Sequence, residues 1–179
     1  MPNYKRFYLE NSYIFITVVT YNRNPILIRN IDLLRDCFKQ TKLDFDFEIF
    51  GSVILPEHFH IIIKPKEADS FPKIIGTVKR KFTQSLKDDF QGKNIPNSRI
   101  IRKEKGIWQR RFYEHIIRSD EDLYNHLDYI HYNPVKHGYV KNVNEWDYSS
   151  FHKFVKLKNY EINWGSTSDI KHITKLKYD

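Results

Sequence analysis

Cysteine and methionine are almost absent from this sequence, since each occurs once among 179 residues. The single cysteine, Cys37, cannot form an internal disulfide or supply a cysteine-rich zinc site, which favours a reducing compartment. No stretch approaches the roughly 18 consecutive apolar residues that cross a bilayer. The first residues also lack the continuous apolar segment of a secretion signal. We therefore expect a soluble cytoplasmic chain without a cleaved leader.

Negative charge is also scarce, because 22 Asp and Glu oppose 30 Lys and Arg, for a formal net charge of +8. Twelve of the basic residues lie between Lys73 and Arg111, against only three acidic ones. A hydrophobic content of 40% supports one folded domain and excludes a disordered polypeptide. A basic block interleaved with aromatic rings is typical of a nucleic-acid-binding surface. For the basicity alone, a solvated helix face beside a basic loop is an equally good explanation.

Hydrophobic periodicity predicts the order of secondary-structure elements. Period-two alternation predicts strands at 13–19, 45–55, 58–64 and 108–117. Helical spacing predicts helices after Asn30, through 74–86, and from Ser119 to a stop at Pro134 and Gly138. Residues 91–106 lack periodicity and predict a mobile basic loop. The order β, α, β, β, α, β, α predicts an α+β fold, with an antiparallel sheet and helices packed on it. We expect one domain over residues 1–165 and a C-terminal tail over 166–179.

Two histidines lie two residues apart in the third predicted strand. His58 and His60 therefore share one face, whereas Phe59, Ile61 and Ile63 take the other. Two neutral imidazoles can hold one cation and leave positions for another protein ligand, water and a phosphate oxygen, as a catalytic metal site requires. A pair of this kind on a half-exposed strand is commonly surface histidine, so the pair alone leaves both interpretations open.

The helix that ends in HLDYIHYNPVKHG carries a second cluster. Tyr129 and Asn133 are four residues apart and lie on one helix face, along a stripe that includes Asp122 and His126. This stripe flanks the apolar face, so we expect Tyr129 at the edge of the sheet, neither buried nor fully in solvent. Such a position suits a nucleophile. The alternative is an ordinary packing tyrosine with a wet hydroxyl, in a chain that has twelve tyrosines.

These segments together resemble the REP-associated tyrosine transposases, relatives of the single-tyrosine insertion-sequence transposases in the HUH nuclease superfamily. The matching stretches are ILPEHFHIIIKP, GTVKRKFTQSLK, IWQRRFYEHIIRSDEDLYNHLDYIHYNPVKHGYV and WDYSSFHKF. The resemblance implies a ferredoxin-like antiparallel sheet, the HUH nuclease domain, which agrees with the predicted element order. The site residues that it implies are His58, His60 and Asn133 as ligands of a divalent ion, with Tyr129 as the nucleophile.

The implied activity is that of a metal-dependent single-stranded DNA endonuclease and strand transferase. It would act on hairpins of repeated extragenic palindromes (REP) through a 5′-phosphotyrosine intermediate. The ion would be Mg²⁺ or Mn²⁺, and two imidazoles favour Mn²⁺ at least as strongly. We expect His126 to orient Tyr129 or to take its proton. Its competitors for that role are His131, His137 and Asp122.

The expected partner is therefore a single-stranded DNA hairpin, bound near the nucleoid by a chain that we expect to be a monomer. The expected DNA-binding residues are Tyr4, Lys5, Arg6, Lys79, Arg80, Lys81, Arg110 and Arg111. Phosphate contacts of such residues position a substrate, whereas contacts to base edges specify it.

Two other functions fit the same residues. A non-catalytic module would use the basic face to bind structured DNA or RNA without cutting it. A water-using metal nuclease would bind the ion through His58 and His60 while Tyr129 serves only the structure. The sequence also leaves open the DNA sequence recognised and whether the chain mobilises DNA or processes its host's own repeats.

Overall fold

The computed structural model describes residues 6–86, 95–165, 169–173, 176 and 178. The strands are β1 (Ile14–Val19), β2 (Phe47–Ile54), β3 (His58–Pro65) and β4 (Tyr113–Ile116). The helices are α1 (Ile31–Asp44), α2 (Phe71–Ser85), α3 (Asn97–Ile100), α4 (Asp120–Lys136) and α5 (Phe151–Lys156). Single 3₁₀ turns lie at Tyr21–Arg23, Ile28–Asn30, Ala68–Ser70 and Val143–Glu145.

The four strands form one antiparallel sheet in the order β2-β3-β1-β4. The chain order is β1-α1-β2-β3-α2-β4, with the short α3 inserted between α2 and β4. Together with the strand order this is the ferredoxin-like arrangement, so the predicted fold class is confirmed. The central strands β1 and β3 consist mainly of β-branched and aromatic residues, which fit a sheet that is covered on both faces.

Each face of the sheet has its own hydrophobic core. On one face, Ile16 and Val18 of β1 pack with the apolar sides of α1 and α2. On the other face, Phe15 of β1 packs with Leu127 and Ile130 of α4 and with residues of α5. Strand alternation divides β1 between the two cores. The helix that carries the predicted nucleophile therefore lies against the second face.

Two predictions in the basic region are correct only in part. The strand predicted over 108–117 forms only at Tyr113–Ile116, and Trp108 contributes one isolated bridge to Thr20. The predicted irregular loop contains a helical turn at 97–100, where the buried Arg99 donates to Glu104 and to the carbonyl of Trp108. These two hydrogen bonds of Arg99 fix the turn, and hydrophobic periodicity does not reveal them. Residues 91–94 of that loop lie outside the described part of the chain.

The predicted end of α4 is wrong at Pro134, because the helix continues through it to Lys136, and correct at Gly138, which follows the C-cap His137 with a φ of +72°. A proline in a helix has no backbone N–H, so Pro134 cannot donate to the carbonyl of Ile130, four residues earlier. Because this happens within the last two turns of α4, the helix loses one hydrogen bond and continues. The predicted start is confirmed. Ser119 caps the helix by accepting a hydrogen bond from the backbone N–H of Asp122 at 3.1 Å.

The described residues after α5 pack back against α4. Ile170 and Ile173 are buried in the second core, and Tyr160 and Trp164 pack against it. Tyr178 reaches further, to the ring of Tyr129. Within the described ranges, no helix is both long and apolar enough to cross a membrane.

Candidate active site

β3 presents its two histidines to α4. His58 and His60 are completely buried on the α4 face, whereas Phe59 and Ile61 point into the core below α1 and α2. The prediction that the two imidazoles share a face is confirmed, and their ring centroids lie 4.9 Å apart. The alternative of surface histidines is wrong, because α4 and the residues after it cover this face of the strand.

One nitrogen of each imidazole is fixed by a neighbour. His58 Nδ1 donates to the Glu57 carboxylate at 2.9 Å, and His60 Nδ1 lies 2.8 Å from the hydroxyl of Thr17 on β1. In metal sites, a hydrogen bond of this kind sets the tautomer and the orientation of the ring. Nε2 is consequently the nitrogen with which each histidine can bind a cation.

α4 brings Tyr129 and Asn133 against the histidine pair. Asn133 is completely buried, and its side-chain amide lies close enough to His60 to oppose in part the lowering of the His60 pKa by burial. The ring of Tyr129 lies edge-on to His60, with centroids 5.4 Å apart. Tyr129 is only 2% exposed, so the expected position at the sheet edge is wrong. The tail residue Tyr178 covers it, a contact that no local pattern predicts.

The surroundings keep the imidazole of His60 neutral. Burial, followed by the charges of His58 and Lys136, holds the pKa of His60 well below its usual value. Burial and the charge of His58 also lower the pKa of His137, to about 4, and its ring centroid lies 5.1 Å from that of His58. Neutral imidazoles are the form that binds metal ions.

Glu57 was not among the predicted site residues. Its carboxylate accepts hydrogen bonds from His58 and from the Tyr139 hydroxyl, both at 2.9 Å, and Arg23 lies 3.5 Å away. Burial opposes its ionisation, but the hydrogen bonds from His58 and Tyr139 outweigh that effect and hold the pKa of Glu57 at about 2. An acidic residue directly before a histidine pair is the signal that could have found it.

The donor set fits a divalent cation. His58 Nε2 and both side-chain amide atoms of Asn133 are buried, and none of them makes a hydrogen bond of normal geometry to a residue that the structure describes. Buried polar atoms without a partner are costly unless an ion or water satisfies them. Two imidazole nitrogens and an amide oxygen are a plausible set for Mn²⁺ or Mg²⁺, with open positions for a substrate.

A second possible metal site lies at the start of α4. The ligand atoms of His115, Asp122 and His126 lie within 4.8 Å of one another. His115 Nε2 donates to the Asp122 carboxylate at 2.9 Å, and His126 Nδ1 donates to the Asp122 carbonyl at 2.8 Å. These contacts join the three residues in a network that also ties β4 to α4. Burial lowers the pKa of His126, whose Nε2 makes no hydrogen bond to a described residue.

The predicted DNA-binding residues at the N-terminus divide into two groups. Tyr4 and Lys5 lie outside the described residues. Arg6 donates to the Glu114 carboxylate of β4 at 2.9 Å, and its guanidinium lies 4.9 Å from the centre of the Phe112 ring. Arg6 is thus fixed against the edge of the sheet.

A basic cleft of about 650 Å³ lies between α2 and residues 99–110. Seven lysines and arginines line it, against one acidic residue, Glu104. Glu104 is paired with Arg99 at 2.8 Å and with Arg110 at 2.9 Å, so the acid organises the cations that surround it. Lys79 donates to the carbonyl of Gln109 at 2.7 Å, and burial, helped by the charge of Arg99, lowers the pKa of Lys79 to about 8.

The remaining predicted DNA contacts lie on either side of this cleft. Arg80 lines the cleft and is exposed. Arg111 is also exposed and follows directly after Arg110, which lines the cleft. Lys81 points toward α1, where its ammonium pairs with Asp44 at 3.1 Å. The cleft and the histidine pair share one end of the sheet, since Val19 of β1 pairs with His58 and accepts a backbone hydrogen bond from Gln109.

Comparison with known proteins gives concordant matches. Residues 8–133 match the family described as Transposase IS200 like. A Haemophilus influenzae protein named as a REP-associated tyrosine transposase is 42% identical over 96% of this chain and 97% of its own length. The REP-associated tyrosine transposase of Escherichia coli K12 is 37% identical over 94% of each chain. A solved structure of a REP-associated tyrosine transposase bound to a REP hairpin has a TM-score of 0.80 at 34% identity, and the match covers 99% of this chain and 96% of that one.

A ferredoxin-like sheet with a buried histidine pair beneath a tyrosine helix, together with these matches, defines a transposase of the IS200-like class. The chain belongs to the family of the REP-associated tyrosine transposases, and it is an enzyme of that family. The resemblance seen in the sequence is confirmed.

Proposed function

We propose that this enzyme cuts and rejoins single-stranded DNA beside palindromic hairpins, with Tyr129 as the nucleophile. The observation that carries the proposal is the convergence of His58, His60, Asn133 and Tyr129 in one buried site. These residues are separated by up to 75 positions in the sequence, and the sheet and α4 bring them together. The relative whose structure holds a REP hairpin supports this class of substrate.

We assign His58, His60 and Asn133 as the ligands of a divalent ion. When bound, Mn²⁺ or Mg²⁺ would neutralise part of the charge on a phosphodiester and so make it easier for an anion to attack. Glu57 and Thr17 hold the two imidazoles in the orientation that binding needs. The network of His115, Asp122 and His126 serves α4 in this scheme, because its hydrogen bonds tie the start of the helix to β4.

Tyr129 forms the covalent bond in the proposed reaction. Its Oη attacks the phosphorus in line, a 5′-phosphotyrosine forms, and a 3′-OH is released. Attack by a 3′-OH on the phosphotyrosine reverses the step and joins strands, since the energy of the phosphodiester is retained. A buried nucleophile on a rigid helix loses little freedom when it reacts.

The basic cleft between α2 and residues 99–110 is the proposed DNA-binding surface. Lys79, Arg80, Arg110 and Arg111 lie at or beside it, and Lys81 adds charge on the α1 side. Cations arranged in this way neutralise phosphates and release counterions, so binding should weaken steeply as salt rises. The cleft lies at the end of the sheet that carries His58, so a strand held there leads toward the site. We expect Tyr4, Lys5 and Arg6 to add contacts at the N-terminus.

We further propose that the enzyme acts as a monomer in the cytoplasm, near the nucleoid, and that residues 166–179 form a tail on a single domain. The proposed ligands and the proposed nucleophile meet within a single copy of the chain, so the site needs no residue from a second copy. Size measurement of the enzyme bound to a hairpin checks the monomer directly.

An adduct assay tests the proposed function. The enzyme is incubated with Mn²⁺ and a hairpin oligonucleotide labelled at its 3′ end, beside Tyr129→Phe. We expect a labelled band of protein mass that the variant and a chelator abolish. Turnover without an adduct would support the water-using nuclease. Tight hairpin binding with neither turnover nor an adduct would support the non-catalytic module.

A further inference from the structure

The last residue of α4 contacts the proposed nucleophile. Lys136 Nζ donates a hydrogen bond to Tyr129 Oη at 3.0 Å and lies 4.7 Å from the centre of the tyrosine ring. The two residues are seven positions apart, which is two helical turns, so both point from the same face of α4. The ammonium therefore lies beside the atom that would react.

Other donors and rings complete the environment of Tyr129 Oη. The backbone N–H of Tyr178 donates to the same oxygen at 3.3 Å. The rings of His60, Phe15 and Tyr178 enclose the aromatic ring edge-on. Oη thus accepts hydrogen bonds from two donors in a nearly dry site, a setting in which a cation strongly favours negative charge on the oxygen.

His126, the residue expected from the sequence to orient Tyr129 or take its proton, is engaged elsewhere. Its Nδ1 donates to the Asp122 carbonyl, and its ring stacks on His115 with centroids 4.5 Å apart. Among the residues that the structure describes, Lys136 is the one whose side chain donates a hydrogen bond to the phenol oxygen. Lys136 itself is exposed at the rim of the site, and its positive charge also acts on His60 and His137.

We propose that Lys136 is a catalytic residue that stabilises the negative charge on Tyr129 Oη as this oxygen attacks the phosphodiester. The proposal rests on the nucleophilic role of Tyr129 given above. In the forward step the Oη–P bond forms and the P–O3′ bond breaks. The phenol proton passes to bulk water, and O3′ takes up a proton from bulk water, while Lys136 remains an ammonium throughout.

The same contact acts in the reverse direction. When a 3′-OH attacks the phosphotyrosine, the phenol oxygen becomes the leaving group and again carries negative charge. An ammonium beside it stabilises that charge as well, because a catalytic group acts on the same transition state from both sides. Loss of the ammonium should therefore slow both cutting and rejoining.

Substitution of Lys136 tests the proposal. Single-turnover rates of adduct formation are measured with Mn²⁺ and a labelled hairpin for the wild type, Lys136→Met and Lys136→Arg, with the exposed Lys141→Met as a matched control. A charge-assisted hydrogen bond corresponds to a rate loss of about 10- to 100-fold for the methionine variant. The arginine variant should remain within about fivefold of wild type. Hairpin affinity by fluorescence anisotropy and thermal unfolding should be unchanged.

A second measurement separates charge stabilisation from a structural role. Tyr129 is replaced by 3-fluorotyrosine in the wild-type and Lys136→Met backgrounds. Fluorine withdraws electrons from the phenol oxygen, so the variant without the ammonium should regain more rate than the wild type does. An equal effect of fluorine in both backgrounds would overturn the proposal. So would a wild-type rate in Lys136→Met, or a rate loss matched by an equal loss of hairpin affinity.

The wild-type arm distinguishes the two proposals. If the wild type forms an adduct and Lys136→Met forms it equally fast, only the role of Lys136 fails. If the wild type forms no adduct with Mn²⁺, the proposed function fails, and the catalytic role of Lys136 falls with it.

Discussion

Glu57 shows how a residue outside the proposed ligand set can control the site. Its carboxylate fixes His58 through Nδ1 and is itself held by Tyr139. Replacing the carboxylate by a neutral amide keeps its size but removes the charge that makes the imidazole a better ligand. Since the carboxylate is buried, solvent cannot substitute for it.

We therefore predict that Glu57→Gln lowers the affinity for Mn²⁺ by about tenfold or more. Isothermal titration calorimetry with the metal alone measures this, and the exposed Glu48→Gln on β2 is the matched control. Equal Mn²⁺ affinities for the wild type and Glu57→Gln would contradict the assigned orientation of His58.

Buried histidines predict a loss of stability in acid. Burial lowers the pKa of His131 to about 3, against an ordinary value of 6.5. Between these values the unfolded chain binds more protons than the folded one, so stability falls as the pH decreases through this range. The slope for one such group approaches about 1.4 kcal/mol per pH unit.

Urea unfolding at pH 7 and pH 5 checks the contribution of His131. The unfolding free energy of the wild type should be lower at pH 5, and the difference should be smaller in His131→Gln. His131 lies 3.0 Å from the Ser150 hydroxyl, so the variant will also lose some stability at both pH values. A pH dependence that is identical in the two proteins would rule out His131 as its source.

At the scale of elements, the packing of α4 on the sheet sets the position of Tyr129. Gly51 of β2 lies directly beneath this helix, and a Cβ at this position would meet Leu127 at 2.5 Å. The register of β2 and β3 is irregular at this point, between Ile49 and Gly51. The glycine therefore permits a close approach of α4 that a larger residue would prevent.

We predict that Gly51→Ala destabilises the fold by about 1–3 kcal/mol through this overpacking and slows adduct formation. Gly76→Ala is the matched control, because a Cβ on this exposed glycine of α2 would meet nothing within 4 Å. That change should raise stability by up to about 1 kcal/mol. Urea unfolding of both variants checks the pair, and destabilisation of equal size by both would contradict the account.

Elements with a complete local pattern were predictable from the sequence. The alternation of His58, Phe59, His60 and Ile61 predicts which face of β3 carries the histidines, because strand side chains alternate regardless of context. The path of α4 through Pro134 was not predictable, since proline usually ends a helix. The spacing of two helical turns predicts that Lys136 and Tyr129 share a face of α4. It does not predict their hydrogen bond, because packing decides where a long lysine side chain points.

Contacts between distant segments decide the features that the sequence did not reveal. Tyr178, 49 residues after Tyr129, helps to bury it: its backbone N–H donates to Tyr129 Oη, and its ring contacts the rings of Tyr129 and His126. No periodicity reports such a contact. Periodicity does not predict the basic cleft either, because Glu104 pairs with Arg99 and Arg110 in a segment that has no regular hydrophobic pattern.

At the scale of the whole molecule, Tyr178 of the tail limits access to the proposed nucleophile, Tyr129. The backbone of Tyr178 donates to Tyr129 Oη, and a phosphodiester cannot reach that oxygen along the same direction. The ring contacts of Tyr178 hold it there. Weakening these contacts should therefore favour the open site.

We predict that Tyr178→Ala increases the single-turnover rate of adduct formation by about three- to tenfold, since the ring contacts that hold Tyr178 in place contribute on the order of 1 kcal/mol. Hairpin affinity, measured by anisotropy, serves as the control and should change little. A slower or unchanged rate would show that the tail does not compete with the substrate.

The most direct test of the central claim is to locate the covalent bond. The adduct formed with Mn²⁺ and a hairpin is digested with nuclease and trypsin, and mass spectrometry identifies the peptide that carries the residual nucleotide. We predict that it maps to Tyr129 and to none of the other eleven tyrosines in the chain. A nucleotide on a different residue, or DNA cleavage with no modified peptide, would contradict the assignment of Tyr129 as the nucleophile.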